Sequence, residues 1–327
     1  MFDNSHNFVF LFHLYIKINM VAAANPERTR LSLWLQATRP FSFSASVMPV
    51  LIAGAYTFTY YHSKIEWFLF PVLLICAVLF HMGANLVSDY FDYKKNVDRP
   101  ETFGSSRVIV DGLMTPGEIL RGGVLCFIFG TILGLILIYF NGLPILALGA
   151  AGFAGGFFYT AKPIGLKYMA LGDVIIFLMF APILMLGAFL GLTGTWNYQV
   201  MLASFPIGFL VVAIVHANNA RDIMHDSQAN IRTFPILTGI EGAKYQYYFL
   251  LIGSYLITGI LILAGIVPIF TLLTLLTVPT AVTNMKLMSK AEVEKPEIIF
   301  NLDVKTAQFH MQFGLLFTIG LALGAIL

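Results

Sequence analysis

Long apolar runs, broken by a few polar stretches, set the pattern of this chain. Runs near 41–61, 67–87, 119–140, 143–160, 170–191, 199–217, 246–266, 268–287 and 307–327 each approach the roughly 20 residues that a helix needs to cross the hydrocarbon core of a bilayer. They are continuous rather than alternating, which argues against a β-barrel. Lipid offers no partner to an open backbone, so all of them are expected as helices. The pattern predicts an all-α integral membrane protein, a nine-transmembrane-helix bundle. Residues 31–327 form its membrane domain, and residues 1–30 precede it as an N-terminal segment.

Composition supports this picture. Hydrophobic residues make up 58% of the chain, charged residues 11%, and the mean hydropathy is +0.82, whereas a soluble domain carries about a quarter charged residues. Charge adds an orientation. With the N-terminus inside, segments 1–40, 88–118, 161–169, 218–245 and 288–306 face the cytoplasm and hold 16 of the 19 Lys and Arg. Arg121 and Lys286 sit at the inner ends of their spans, and only Lys64 lies on the other side. Positive charge retains loops in the cytoplasm, so the expected topology is N-in, C-out. Of the acidic residues only Glu66 lies outside. Acidic residues obey no such rule, so their crowding on the inner face calls for a chemical reason. Cys76 and Cys126 both fall within spans, which argues against a disulfide framework or a zinc site. Residues 8–16 resemble a short signal-type apolar run, but no Lys or Arg precedes them. Met20 is an alternative initiator.

The two richest polar stretches follow the second and sixth spans. In the first, Asn85, Asp89 and Asp92 are spaced four and three apart, which places them on one helical face, and Asp98 follows in or near a loop. In the second, Asn218, Asn219 and Arg221 precede Asp222 and Asp226, a same-face pair one turn apart. Same-face aspartates repel by a few tenths of a kcal/mol per pair, and burial makes this worse unless a cation neutralises them. Hard carboxylate oxygens suit Mg²⁺, which commonly bridges one or two carboxylates to substrate phosphates. Asp89, Asp92, Asp222 and Asp226 are therefore the candidate metal and catalytic residues. Two facing clusters would grip a diphosphate from both sides. Arg107, Arg221, Arg232, Lys162 and Lys167 could add positive charge at its oxygens, and its apolar tail would lie along the helices below.

At these residues the chain resembles the UbiA-type prenyltransferase superfamily, and within it the 1,4-dihydroxy-2-naphthoate polyprenyltransferases of menaquinone synthesis. The resemblance runs from about Leu33 to the C-terminus. The first stretch is similar to N-L-x-N-D-Y-x-D-x-x-K-G-x-D, with Gly104, Arg107, Gly112 and Thr115 in the turn that follows. The second is similar to N-N-x-R-D-x-x-x-D-x-x-x-G-x-x-T, which places Asn219, Arg221, Asp222 and Asp226 in the metal and diphosphate site. Thr38-Arg39-Pro40, Tyr159-Thr160 and Gly172-Asp173 also match. Ser88 stands where the branch has Asn, and Asn96 and Asn230 stand where it has Gly. Asn is the non-glycine residue that best tolerates φ > 0, so both turns can keep their shape. The resemblance implies Mg²⁺-assisted ionisation of a polyprenyl diphosphate and attack by an electron-rich aromatic acceptor. In the naphthoate branch CO₂ is lost. Asn85, Asp98, Tyr159, Lys162 and Lys167 are the further expected substrate contacts, and the expected location is a bacterial plasma membrane.

Other readings remain open at this stage. The same superfamily includes enzymes for 4-hydroxybenzoate, homogentisate, chlorophyllide or haem. A cation-coupled transporter also carries intramembrane carboxylates, but near the bilayer midplane, whereas here they cluster at the membrane face. Lys162 and Lys167 could be positive-inside anchors or diphosphate ligands, with Lys162 favoured by its closeness to Tyr159. Asp173 could be a helix-entry charge or part of the head site. His81 and His216 could act on the acceptor or tie helices together. The acceptor ring is expected beneath the diphosphate, near Ser42, Ser44, Asn85 and His81. Nucleic acid is not expected as a partner.

Overall fold

A computed structural model of the protein describes residues 28–61, 63–103, 105–229 and 231–327. The apolar run 8–16, Met20 and the motif positions Gly104 and Asn230 lie outside the described residues. The chain folds into helices α1 (Arg30–Thr38), α2 (Ser44–Tyr60), α3 (Phe70–Lys94), α4 (Pro116–Asn141) and α5 (Pro144–Phe157). These continue as α6 (Gly172–Thr193), α7 (Phe205–Arg221), α8 (Ile223–Gln228), α9 (Phe234–Leu263), α10 (Ile269–Met288) and α11 (Leu302–Ile326). Among the described residues the one β-type pairing is an isolated bridge between Met169 and Arg232.

Seven helical segments among the described residues are long and apolar enough to cross a bilayer. The two other expected spans are helical but shorter. Helix α5 has 14 residues, about 21 Å at 1.5 Å per residue, which is less than the hydrocarbon core. Helix α7 has 17 residues and begins at Phe205, where Pro206 separates it from the short helix Tyr198–Ala203. Proline cannot donate the helical hydrogen bond to a preceding carbonyl.

Helix α3 runs past the apolar run that ends near 87 and carries the first acidic stretch to Lys94, as the spacing of three and four predicts. Two boundaries differ from expectation in ways that matter below. Helix α9 starts twelve residues early, at Phe234 rather than 246, and breaks at Gly239, whose φ of 71° is left-handed. The last helix begins at Leu302, not 307, which brings Asp303 into its first turn.

Helix α10 opens as a 3₁₀ segment, Ile269–Thr277. Its three-residue repeat aligns Thr271, Thr274 and Thr277 on one buried face. Each hydroxyl bonds back to a carbonyl three residues earlier, so these polar groups are satisfied without water. The core runs through α2, α6, α7, α9 and α11, where Tyr56, Phe189, Tyr247, Phe309, Phe313 and Phe317 are fully buried. The outward faces carry exposed Leu125, Phe129, Leu135, Leu256 and Ile260, the apolar periphery expected against lipid tails. Between α3 and α4 close packing replaces the hydrophobic effect. A Cβ on Gly123 would stand 2.9 Å from Val87 and 3.2 Å from the Gly83 carbonyl.

Candidate active site

Helix α3 ends in a Schellman turn that fixes the first acidic cluster. The Val97 N–H bonds the Asp92 carbonyl at 2.9 Å and the Asn96 N–H bonds that of Tyr93 at 3.1 Å. Asn96 takes φ 56°, the left-handed geometry the turn requires, so asparagine replaces glycine here as expected. The same turn brings the Asp98 N–H to the Asp92 carbonyl at 3.3 Å. Further along, Gly112 adopts φ 69°, and Thr115 with Glu118 forms a capping box that starts α4.

Asp89, Asp92 and Asp98 are all buried, and apart from Ser88 the partners of the first two come from distant segments. Asp89 pairs with Arg39 and accepts from the Ser106 hydroxyl, with the Ser106 N–H at 3.2 Å. Asp92 accepts from Lys167 at 2.8 Å, Tyr168 at 2.7 Å and Ser88 at 3.0 Å. Burial, followed by the charges of Asp92 and Asp89, pushes the Asp98 carboxyl well above the usual carboxylate range.

The second cluster is built differently. Helix α7 stops at Arg221, and Asp222 sits at the junction before α8 with φ −95° and ψ 11°. The expected continuous face is therefore bent, although the Asp226 N–H still reaches the Asp222 carbonyl at 2.8 Å. Arg221 grips its neighbour Asp222 through two bonds of 2.9 and 2.8 Å, and also reaches Asp303 at 3.2 Å and Asn218 at 2.6 Å. Asp226 is buried, and its carboxylate takes no side-chain hydrogen bond among the described residues. Burial pushes its pKa up to about 7, with Lys167 opposing and Asp222 and Asp92 adding to the rise. Asp92 and Lys167 thus act on Asp226 across the gap, and the two clusters share one electrostatic site.

Beneath the clusters lies a cavity of about 620 Å³. Its polar end carries Arg39, Ser42, Asn85, Lys167, Asn219 and Asp303. Its deep end is apolar, with Leu73, Cys76, Leu137, Ile145, Leu148 and Ala188. Asp89, Asp92 and Asp222 stand behind this rim and are held by it or its neighbours. Asn85 donates to the Thr38 carbonyl at 3.1 Å and to Ser42 at 3.2 Å. His81 lies between Ser42 at 3.3 Å and Ser46 at 3.1 Å and lines the cavity, as does Tyr159.

Several expected contacts fall elsewhere. Lys162 is exposed, and Lys167 occupies the site in its place. Arg107 pairs with Asp111 at 2.8 Å and donates to the Thr102 carbonyl at 2.7 Å, so its guanidinium braces the loop. The Arg232 side chain is exposed, and only its backbone pairs with the Tyr168–Ala170 segment. His216 is fully buried, donates from Nε2 to the Ala243 carbonyl at 2.8 Å, and does not line the cavity. Asp173 accepts from Gln246 at 2.8 Å, and Ser44 faces the Ala307 carbonyl at 3.5 Å. Two cavity residues, Arg39 and Asp303, were not among the expected contacts. Arg39 carried a signal in Thr38-Arg39-Pro40, whereas Asp303 lay in what read as a plain loop.

Among the described residues no three His, Cys, Asp or Glu side chains converge on one point in metal-binding geometry. The donor chemistry nevertheless fits a hard divalent cation. Asp89, Asp92, Asp98, Asp222, Asp226 and Asp303 face three close cations, Arg39, Lys167 and Arg221. Asp98 and Asp226 take no side-chain hydrogen bond among the described residues.

Residues 46–323 match the UbiA prenyltransferase family. The chain is 32% identical over 309 residues to UbiA prenyltransferase domain-containing protein 1 of Mus musculus, covering 91% of this chain and 87% of that protein. The human protein of the same name is 32% identical over 304 residues, covering 90% and 85%. The Drosophila melanogaster homolog is 30% identical over 305 residues, covering 89% and 79%. The fold is shared with a UbiA homolog from Archaeoglobus fulgidus bound to DMAPP and Mg²⁺, with TM-score 0.58, 14% identity and coverage of 88% and 99%. It is also shared with the apo structure of a UbiA homolog from Aeropyrum pernix K1, with TM-score 0.64, 15% identity and coverage of 88% and 98%. These sequence relatives are animal proteins whose name specifies no naphthoate acceptor, so the expected branch and bacterial membrane find no support in them. Across most of its length, and at both acidic motifs, this chain belongs to the UbiA prenyltransferase family.

Proposed function

We propose that the protein transfers the prenyl group of a polyprenyl diphosphate to 1,4-dihydroxy-2-naphthoate with loss of CO₂, giving a demethylmenaquinol. The carrying observation is an apolar cavity of about 620 Å³ whose polar end carries Arg39, Lys167 and Asp303, with the buried carboxyls of Asp89, Asp92 and Asp222 behind it. Such a cavity suits a substrate with a charged head and a greasy tail. The Archaeoglobus fulgidus homolog bound to DMAPP and Mg²⁺ supports the same reading of the head.

Asp89, Asp92, Asp222 and Asp226 would hold Mg²⁺, which when bound supplies charge neutralisation to the leaving pyrophosphate. Lys167 and Arg39 already face the cavity and are placed to donate to phosphate oxygens. Arg221 stays anchored between Asp222 and Asp303 and keeps the second cluster in place. As the allylic C–O bond breaks, pyrophosphate leaves with the electron pair. The ring carbon bearing the carboxylate then attacks the allylic carbon. The electrons of its bond to the carboxylate return to the ring as CO₂ departs. His81, Ser42 and Asn85 form the hydrogen-bonding shelf for the ring hydroxyls, and the apolar walls keep water from the cation. We assign the clusters to the cytoplasmic face of a nine-span, N-in, C-out protein, because 18 of the 19 Lys and Arg fall on that side.

Purified protein is incubated with Mg²⁺, labelled prenyl diphosphate and carboxyl-labelled naphthoate. CO₂ release in step with prenyl incorporation is expected, and EDTA abolishes both until Mg²⁺ is restored. Prenylation of 4-hydroxybenzoate or of a naphthalenediol without a carboxylate, with the naphthoate ignored, would overturn the acceptor and leave the head site standing.

A further inference from the structure

The loop between α5 and α6 makes contacts that the transfer reaction does not use. Tyr168 donates its phenol hydrogen to Asp92 Oδ1 at 2.7 Å. Lys167 and Ser88 both donate to the other oxygen, Oδ2, at 2.8 and 3.0 Å. Among the described residues the phenol is therefore the one side-chain donor on Oδ1. The Lys95 ammonium lies 3.4 Å from the centre of the Tyr168 ring and clamps the ring from its face. Behind Tyr168, the backbone pairs with the chain that follows Asp226. The Ala170 N–H bonds the Arg232 carbonyl at 2.7 Å, and the Arg232 N–H bonds the Tyr168 carbonyl at 3.3 Å. One residue thus has its hydroxyl fixed by the first acidic motif and its backbone fixed by the exit from the second.

We propose that Tyr168 is a positioning residue that keeps Asp92 oriented for a divalent cation and holds the two acidic motifs in register. The proposal rests on the reading of Asp92 as a metal carboxylate. Lys167 lines the cavity and Tyr168 does not, so their roles divide. A lysine drawn to a phosphate oxygen gives up Asp92 Oδ2. The phenol stays on Oδ1 and fixes the plane of the carboxylate. Being neutral, it orients Asp92 without cancelling the negative charge that a cation needs, which a second ammonium would do. Partners that orient a ligating carboxylate in this way are typically worth about 10–100-fold in metal affinity.

The test is Tyr168→Phe in the full-length protein, which keeps the ring and removes the donor. Mg²⁺ binding is followed by thermal shift in the presence of a non-hydrolysable prenyl thiolodiphosphate, alongside turnover across a Mg²⁺ series. The half-saturating Mg²⁺ concentration is expected to rise about 10–100-fold, with turnover at saturating Mg²⁺ and the Tm without metal little changed. A Mg²⁺ midpoint equal to that of the native protein overturns the proposal, whether or not the Tm falls. If the native protein itself shows no Mg²⁺ response, the metal reading fails together with the proposal. A responsive native protein with an unshifted variant sinks Tyr168 alone.

Discussion

The two acidic motifs read as a matched pair, but the molecule holds them by opposite means. In the first, an unbroken helix presents Asp89 and Asp92, and the groups that neutralise them arrive from Arg39, Ser106, Lys167 and Tyr168. In the second, the helix breaks at Asp222, and the main partner is the adjacent residue, Arg221, backed by Asp303. The first motif therefore depends on tertiary closure, since its charges are satisfied only when three separate loops assemble around it. The second is largely self-contained and leaves Asp226 without a side-chain donor among the described residues. One cluster is braced by the fold, and on the proposed function the other keeps the Asp226 carboxylate in reserve for a ligand.

The largest effects should come from the carboxylates themselves. Asp89→Ala and Asp222→Ala are each expected to lower prenyl transfer by about 10²–10³-fold or more, the scale for removing a preorganised group at a reacting centre. Membrane insertion should persist, as judged by yield and monodispersity in detergent. Near-native turnover in either variant would end the two-cluster reading. The comparison predicts a further split. Asp89→Ala strands Arg39, which is partly solvent-accessible at 23% of its side chain, whereas Asp222→Ala leaves the buried Arg221 still paired with Asp303.

The two loop lysines come next. Lys167→Ala removes the cation between Asp92 and Asp226 and is expected to cost about 10–100-fold in turnover, the scale of a charged hydrogen bond. Lys162→Ala, at an exposed position, should stay within about twofold, since a solvated surface charge is worth little. Equal losses in the two variants would mean that Lys162 reaches the substrate after all.

That contrast marks how far the sequence could be read. Apolar run length located the helices, and spacings of three and four placed Asn85, Asp89 and Asp92 on one face, because both signals are local. The Asn96 turn was legible for the same reason. Choosing Lys167 over Lys162 was not legible, because five residues of loop decide which ammonium turns inward. Arg107 at a motif position and Arg232 beside one carried the right charge, yet one is bound by Asp111 and the other contributes its backbone. Asp303 was missed because the last helix starts earlier than hydropathy suggests. Its first turn is polar, and only packing against Arg221 shows why it is helical.

The reserve carboxylate should show itself through pH. Burial lifts the pKa of Asp226 to about 7, above the roughly 3.9 of an unfolded aspartate, so the folded chain holds the proton more tightly. Its contribution to stability is fully present below the unfolded value and is lost as pH rises through about 7. Thermal stability measured without Mg²⁺ should therefore fall from this group between about pH 4 and 7. A cation needs the ionised form, so the half-saturating Mg²⁺ concentration should drop about tenfold per pH unit below 7 and level off above it. Asp226→Asn should flatten the stability trend. An unchanged slope in that variant would assign the titration to another carboxyl, with Asp98 the next candidate.

The smallest effect belongs to the turn that ends the first motif. Asn96 sits at φ 56° and closes the Schellman pair of hydrogen bonds from Asn96 and Val97 to Tyr93 and Asp92. Glycine meets no steric penalty there, so Asn96→Gly should leave transfer within about twofold and the Tm within about 2 °C. Alanine has the Cβ without asparagine's local hydrogen bonding, and left-handed geometry then costs about 1 kcal/mol. A β-branched residue costs more, so the order of Tm should be Gly and Asn above Ala, with Val lowest. The turn sets the backbone of Asp98 through its N–H to the Asp92 carbonyl at 3.3 Å. Val should therefore weaken Mg²⁺ activation as well as stability, whereas Ala should affect mainly stability. If all four residues give the same Tm and the same Mg²⁺ response, this turn does not hold the first motif in shape. Its rigidity would then have to come entirely from Arg39, Ser106 and the Lys167–Tyr168 loop.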